Sequence, residues 1–161
     1  MMNLSGMYEM DGIDLWDNYG ITIETGGLDG FLKLPKRKDS IQHDWQDEDG
    51  LDIDLSRTFL EAREIPVNCV IVAGSEVEFW TKYNGFLNML KKPGTRRFSV
   101  NPFGTDYYIF YKDCTIWQKL TNFKNSNKLV CRFTLTVIEK NPGFQNTPTY
   151  IVDEAGKFLI T

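Results

Sequence analysis

The chain has 161 residues, which suits one domain and allows a hydrophobic core. Hydrophobic residues make up 42% and charged residues 25%, values that are typical of a soluble globular protein. The formal net charge of −4 argues against nucleic acid as the main partner, because proteins that neutralise phosphates usually carry a basic excess.

The cysteines and the N-terminus indicate where the protein is made. Cys69, Cys114 and Cys131 are an odd set without a Cys-x-x-Cys spacing, which is not a disulfide framework and fits a reducing compartment. The start MMNLSGMYEMDG has no signal-peptide pattern, and no apolar run approaches the ~20 residues that span a bilayer. We expect a protein that is made and used in a cytoplasm, or that is assembled there and released by another route, and that has no membrane partner.

In the first third of the chain, the sequence predicts two strands separated by a long loop. Residues 1–18 are polar and acidic and predict a loose start. Residues 19–24 alternate as a short strand, and residues 31–50 read as a long loop. The basic part of that loop, residues 33–38, is expected to be solvated. Residues 51–56 alternate Leu, Ile and Leu with polar residues, which predicts a strand with one wet face.

The middle of the chain predicts a buried strand and one helix. Residues 65–73 (IPVNCVIVA) form a strand on composition, whereas residues 57–64 are ambiguous between a turn and a bulged strand. Ser75 and Glu78 have the spacing of a capping box, so a helix should run from about Glu76 to Lys91. Its apolar face is predicted to consist of Phe79, Tyr83, Phe86, Leu87 and Leu90.

The remainder of the chain predicts β-structure. Strands are expected over 97–100 and 106–111, and then over Cys114 to Thr121 after a turn at Lys112-Asp113. The run from Leu129 to Glu139 alternates throughout and predicts the longest strand. After a polar spacer, 150–152 and 158–160 predict a hairpin.

Because helices do not alternate with these strands, we predict a mainly β (α+β) fold. The expected architecture is an antiparallel β-sandwich or open barrel flanked by one helix. Residues 1–143 would form this domain, and residues 144–161 would add a C-terminal hairpin extension.

The stretch HDWQDEDGLDIDLS (43–56) contains the only histidine and six acidic residues. A calcium loop fails, because its first and twelfth positions would be Trp45 and Ser56. A zinc site would need more His or Cys than His43 alone. Asp52 and Asp54 could in principle be paired carboxylates, but they lie on the polar face of the expected strand. We predict a solvated acidic turn without a metal.

The sequence shows no sign of covalent catalysis or of a cofactor site. It has no Gly-x-Ser-x-Gly elbow, no phosphate loop and no Gly-x-Gly-x-x-Gly. Cys114 is a conceivable nucleophile, but its place at a strand entry favours a structural thiol. We therefore predict no catalytic, cofactor-binding or metal-binding residues and no enzyme activity.

Aromatic residues are the remaining signal, at 14% of the chain. Five of them lie in expected loops or on the less apolar sides of elements. Each could belong to a large-ringed core, but together they favour surfaces that contact other subunits. These five residues are Trp45, Trp80, Phe103, Trp117 and Phe123.

Two runs carry a family resemblance: LDGFLKLPKRKDSIQHDWQDEDGLDIDLS (28–56) and EAREIPVNCVIVAGSEVEFWTKYNGFLNMLKKPGTRRFSV (61–100). DYYIFYK (106–112) and FTLTVIE (133–139) follow in the same order. The sequence resembles tail structural proteins of Bacteroidetes prophages, and more distantly the N-terminal domain of phage distal tail and tail-tube-like proteins. The resemblance covers roughly residues 19–140.

The resemblance implies a non-enzymatic virion tail component that associates into a ring, a hexamer in the family, and binds other tail proteins. It also implies the sandwich-plus-helix core. Because only the hairpin follows this core, we expect no second, carbohydrate-binding domain of the kind that the family has, which leaves the exact tail position open. The alternative is a small carbohydrate- or calcium-binding module that uses exposed tryptophans and the carboxylates of residues 44–54.

Overall fold

The main structural feature is an antiparallel sheet with one long helix against it. The structure is a computed structural model, and it describes residues 3–142 together with the backbone of 151–152 and 158–159. In chain order, the elements are β1 (Tyr8–Met10), β2 (Ile13–Asp14), α1 (Leu15–Tyr19), β3 (Ile21–Ile23), α2 (Asp29–Leu32), β4 (Gln42–His43), β5 (Asp52–Ile53), β6 (Arg63–Ala73), α3 (Glu76–Leu90), β7 (Arg96–Val100), a 3-10 turn (Asn101–Phe103), β8 (Thr105–Lys119), β9 (Leu129–Glu139), β10 (Ile151–Val152) and β11 (Phe158–Leu159).

Seven strands form one sheet in the order β2-β1-β7-β8-β9-β6-β3. Every neighbouring pair in it is antiparallel, and the described strands do not close into a barrel. Two smaller two-stranded sheets, β4-β5 and β10-β11, lie outside it. The predicted mainly β fold flanked by one long helix is thus confirmed.

The buried face of the sheet follows from the alternation along β6 and β9. The predicted longest strand is confirmed with its bounds, Leu129–Glu139. It pairs with all eleven residues of β6, from Arg63↔Glu139 to Ala73↔Leu129. In both strands, alternate residues are buried, so the two strands contribute one continuous apolar face to the core.

Helix α3 covers this apolar face. The Ser75 hydroxyl accepts a hydrogen bond from the Glu78 N–H at 3.2 Å, as in the predicted capping box. The Glu78 carboxylate instead accepts from the Gly74 N–H at 2.9 Å. Phe79 and Phe86 are buried as predicted, and Met89 is a further buried residue that the prediction omitted. No helix in the described part of the chain is long and apolar enough to cross a membrane.

The expectation of a loose start over residues 1–18 is wrong. β1 joins the sheet next to β7, and Met10 and Leu15 are buried in the core. Asp14 caps α1 by accepting from the Asp17 N–H at 2.8 Å. Gly20 ends this helix with φ +61°, where an added Cβ would come within 2.2 Å of the Val72 carbonyl oxygen.

The predicted turn at Lys112-Asp113 is also wrong, because β8 continues through it. Two β-bulges interrupt the pairing with β9 instead, between Tyr111 and Asp113 and between Cys114 and Ile116. Each bulge places two residues of β8 opposite one of β9. The bulges accommodate polar residues without ending the strand. They also place Tyr111, Cys114 and Trp117, at intervals of three, on the same face as their buried cross-strand partners in β9.

The predicted long loop 31–50 and strand 51–56 are partly corrected. The loop begins with α2 and contains β4, which pairs with the short β5 to make a small hairpin. The strand is limited to Asp52–Ile53, and Leu51 and Leu55 are exposed rather than buried on one face. Residues 33–62, called the arm below, rejoin the sheet at β6, and an isolated bridge between Arg37 and Leu60 holds their two ends together.

The predicted C-terminal hairpin is present as β10 and β11. Ile151 pairs with Leu159 and Val152 pairs with Phe158 in an antiparallel ribbon. The boundary expected between residues 143 and 144, and the side chains of this hairpin, lie outside the described residues.

Candidate interaction surfaces

The acidic stretch lies in the hairpin of the arm. His43 of β4 pairs with Asp52 of β5, and the His43 ring stacks on Trp45 with centroids 5.5 Å apart. All residues from 41 to 50 are exposed. Within the described residues, no group of three or more His, Cys, Asp or Glu side chains is arranged to hold a metal ion. The geometry is that of a solvated turn.

The three cysteines are free thiols in environments that oppose ionisation. Burial raises the pKa of Cys69, and the neighbouring Cys114 and Glu24 raise it further. Burial, with the negative charge of Asp113, raises the pKa of Cys114. Burial also raises the pKa of Cys131. A nucleophilic cysteine needs a lowered pKa, so these surroundings fit structural thiols.

The basic run of the arm is engaged in local contacts. Lys36 forms an exposed ion pair with Glu61 at 3.6 Å. The guanidinium of Arg37 donates to the Ser40 hydroxyl at 3.0 Å and to the Arg57 carbonyl at 3.4 Å. These contacts fold the base of the arm and match the predicted solvated loop better than a convergent phosphate site.

The structure brings together three of the five aromatic residues singled out from the sequence. Trp80 lies 6.2 Å from Phe123, and both surround the buried ring of Phe79. Trp117 joins the cluster through Tyr83, with ring centroids 5.6 Å apart. Trp80 and Trp117 remain 44% and 43% exposed, so the cluster has a buried base and an open surface.

The other two singled-out rings lie elsewhere. Trp45 is in the acidic hairpin, and Phe103 is in the 3-10 turn between β7 and β8. Both are exposed. They do not belong to the aromatic cluster, and no sequence spacing distinguishes them from the three that do.

An apolar groove runs beside the cluster, between α3 and β8. Its rim consists of three residues from each element, and its floor is the core face of the sheet. The groove has a volume of about 70 Å³, more than the ~15 Å³ that a single water-sized group needs. An apolar side chain could therefore enter it. The rim residues are Tyr83, Leu87, Leu90, Tyr111, Cys114 and Trp117.

The arm carries six exposed apolar side chains, which lie before, within and after the β4-β5 hairpin in the sequence. Several exposed apolar side chains in one segment make the arm a candidate surface for contact with other proteins. These residues are Leu34, Ile41, Trp45, Leu51, Leu55 and Phe59.

In the described part of the chain, the groove and the exposed apolar side chains of the arm thus belong to an antiparallel sheet flanked by one long helix. No protein-family model matches the sequence, and no curated protein matches it. Among solved structures, the fold is similar to that of the Dit protein (gp 19.1) of phage SPP1, a paradigm of the hub adsorption apparatus in phages that infect Gram-positive bacteria. The TM-score is 0.57 at 16% identity, over 84% of this chain and 50% of the Dit chain. The chain therefore spans about half the length of the protein whose fold it shares.

Proposed function

We propose that this protein is a non-enzymatic structural component of a phage tail. The observation that carries the proposal is the likeness of its fold to the SPP1 Dit protein over 84% of the chain. The sequence resemblance to prophage tail proteins of Bacteroidetes supports the same conclusion independently. The protein would function in the virion tail, after assembly in the bacterial cytoplasm.

The proposed role is that of a ring-forming distal tail or tube-like subunit. A closed ring needs two different surfaces on each copy, which meet head to tail until the rotation closes. This chain offers two candidates on different elements: the groove between α3 and β8, and the exposed apolar side chains of the arm. The expected ring is a hexamer, as in the family that the sequence resembles, and other tail proteins would stack on it.

The proposal is tested by the mass and shape of the full chain in solution. Light scattering over a range of concentrations should give a multiple of 18.6 kDa, and negative-stain images should show rings. Replacing Leu34 and Ile41 with Glu introduces charge on the arm and should weaken the assembly if the arm is in the interface. Val77→Glu is the control, because Val77 is 78% exposed on α3 and does not belong to the arm.

A protein that remains a monomer at every concentration, with no rings in the images, would contradict the ring-forming role. Calorimetry with calcium and a glycan panel provides the counterpart test. Tight binding of either ligand by the monomer would favour a small binding module over a structural subunit.

A further inference from the structure

The second half of β8 has an open edge in the described part of the chain. β7 pairs with β8 only from Val100↔Thr105 to Arg96↔Ile109. β9 pairs with it from Ile109 to Lys119, on the other side. Among the described strands, residues 110–119 therefore have a neighbour on one side only. Along such an edge, alternate N–H and C=O groups point away from the sheet and can pair with another strand.

Each side of the sheet carries apolar side chains beside this edge, with polar ones between them on the side away from α3. Tyr111, Cys114 and Trp117 lie on the α3 side, where they form one rim of the groove. Phe110 and Ile116 lie on the opposite side and are exposed, Ile116 by 58%. A strand that paired here would bury apolar side chains on both of its faces.

We infer that this edge accepts a strand of the C-terminal hairpin, β10-β11, from a second copy of the chain. The inference deepens the proposed self-association and rests on it. The hairpin offers Ile151-Val152 and Phe158-Leu159, pairs of consecutive apolar residues. Consecutive residues of a strand point to opposite faces, so either strand would present apolar groups to both sides of the sheet. The main-chain bonds would supply affinity and the groove would supply side-chain specificity.

The hairpin is suited to this role because it is not part of the large sheet in the protomer. β10 and β11 pair with each other and form a separate two-stranded sheet. A two-stranded hairpin is only marginally stable alone in water, so pairing with a third strand would stabilise it. An edge on one copy and a hairpin on the next are two different surfaces, which is the arrangement that a head-to-tail ring requires.

The first experiment measures self-association of the full chain by light scattering after charge is placed on the edge. Ile116→Lys adds a charge at an exposed edge position, a device that natural edge strands use against pairing. It should weaken self-association by about tenfold or more. Val77→Lys is the matched control at an exposed helix position and should change the dissociation constant by less than about twofold.

The second experiment traps the contact by disulfide formation between two differently tagged chains. Both carry Cys114→Ala, which leaves only the buried thiols Cys69 and Cys131. One chain carries Ile116→Cys, and the other carries either Ile151→Cys or Val152→Cys, so that both faces of the strand are sampled. A disulfide-linked heterodimer should form with one of them under mild oxidation. Val77→Cys in place of Ile116→Cys should give none.

The outcomes separate this inference from the proposed function. If the full chain assembles but Ile116→Lys has no effect and no heterodimer forms, the docking site is wrong and the ring proposal stands. If a chain carrying both substitutions closes the disulfide only within itself, the hairpin docks on its own protomer and the inference is overturned. A chain that is monomeric throughout and forms no heterodimer contradicts both proposals.

Discussion

Arg63 and Glu139 form a buried ion pair that connects the base of the arm to the end of β9. The two residues are cross-strand partners of β6 and β9, and the Arg63 Nε donates to Glu139 Oε2 at 2.8 Å. The same guanidinium donates to the carbonyls of Phe31 at 3.1 Å and Lys33 at 2.6 Å. One side chain therefore fixes where α2 ends and where the arm leaves the domain.

We expect Glu139→Ala to lower the free energy of unfolding by about 3–5 kcal/mol, because it leaves the Arg63 charge buried without its partner. Urea unfolding measures this loss. The control is Glu64→Ala, which breaks the neighbouring but exposed pair of Glu64 with Lys112 and should cost about 1 kcal/mol or less. Equal losses in the two variants would show that the Arg63–Glu139 pair is not an anchor.

The packing of α3 on the sheet is tested at Phe86. Its buried ring lies 5.6 Å from the ring of Tyr19 and 6.4 Å from that of Phe133. Phe86→Ala should therefore cost about 3–5 kcal/mol in urea melts. Val77→Ala, on the exposed side of the same helix, should stay within about 0.5 kcal/mol of the native protein. A loss below ~1 kcal/mol for Phe86→Ala would contradict the packing seen here.

The elements that could be predicted from the sequence are those with a complete local signal. β9 alternates over eleven residues, and α3 has both a capping residue and an apolar face. β1 has three residues and gives no such pattern, and it is held by pairing with β7, some ninety positions away in the sequence. The Lys112-Asp113 pair reads as a turn locally. It lies within a strand because a bulge and an open edge accommodate polar side chains.

The candidate surfaces could be predicted only in part, for the same reason. The sequence singles out Trp80, Trp117 and Phe123 as aromatic residues outside the expected core. Their proximity, however, depends on how α3 packs beside β8, which no spacing within either element shows. The open edge of β8 is even harder to predict from the sequence. It exists because β7 is ten residues shorter than β8, a relation between two strands rather than a motif in either.

The acidic hairpin of the arm is expected to tolerate loss of charge. Asp47→Asn together with Asp49→Asn should change the free energy of unfolding by no more than about 0.5 kcal/mol, because both carboxylates are exposed. Thermal melts with and without calcium should overlap for both the native and the substituted protein. A calcium-dependent rise in melting temperature that disappears in the variant would instead indicate a metal site.

The buried thiol of Cys69 predicts a loss of stability at alkaline pH. Its pKa in the folded state is raised above the ordinary 9.0, mainly by burial. Above about pH 9 the unfolded chain releases this proton while the folded protein retains it, so unfolding is favoured by about 1.4 kcal/mol for each further pH unit. Below pH 9 this contribution to stability is fully present.

Urea melts from pH 8 to pH 10 should therefore show a shallower decline for Cys69→Ala than for the native protein. Val67→Ala is the control, because Val67 lies two residues away on the same buried face and has no titratable group. It should be destabilised at every pH and retain the native slope. Parallel slopes for all three proteins would mean that Cys69 titrates alike in the folded and unfolded chains.

The second bulge of β8 predicts an unusual tolerance to deletion. Cys114 pairs with Leu135 and Ile116 pairs with Thr134, so Thr115 is the extra residue between them. Deleting Thr115 would leave a regular ladder in which Trp117 still pairs with Phe133, and every later side chain would keep its face. We expect the deletion to lower the free energy of unfolding by about 1 kcal/mol or less, because it removes an exposed side chain and leaves the buried residues of β9 with the same partners.

Deleting Val70 from β6 is the contrasting case, because that strand pairs without interruption on its β9 side. The deletion would shift one half of the strand by one position and turn its buried residues to the opposite face. We expect this variant to fail to fold, while the Thr115 deletion shows a native circular dichroism spectrum and a cooperative melt. A Thr115 deletion that unfolds the domain as completely as the Val70 deletion would show that the bulge is required for the fold.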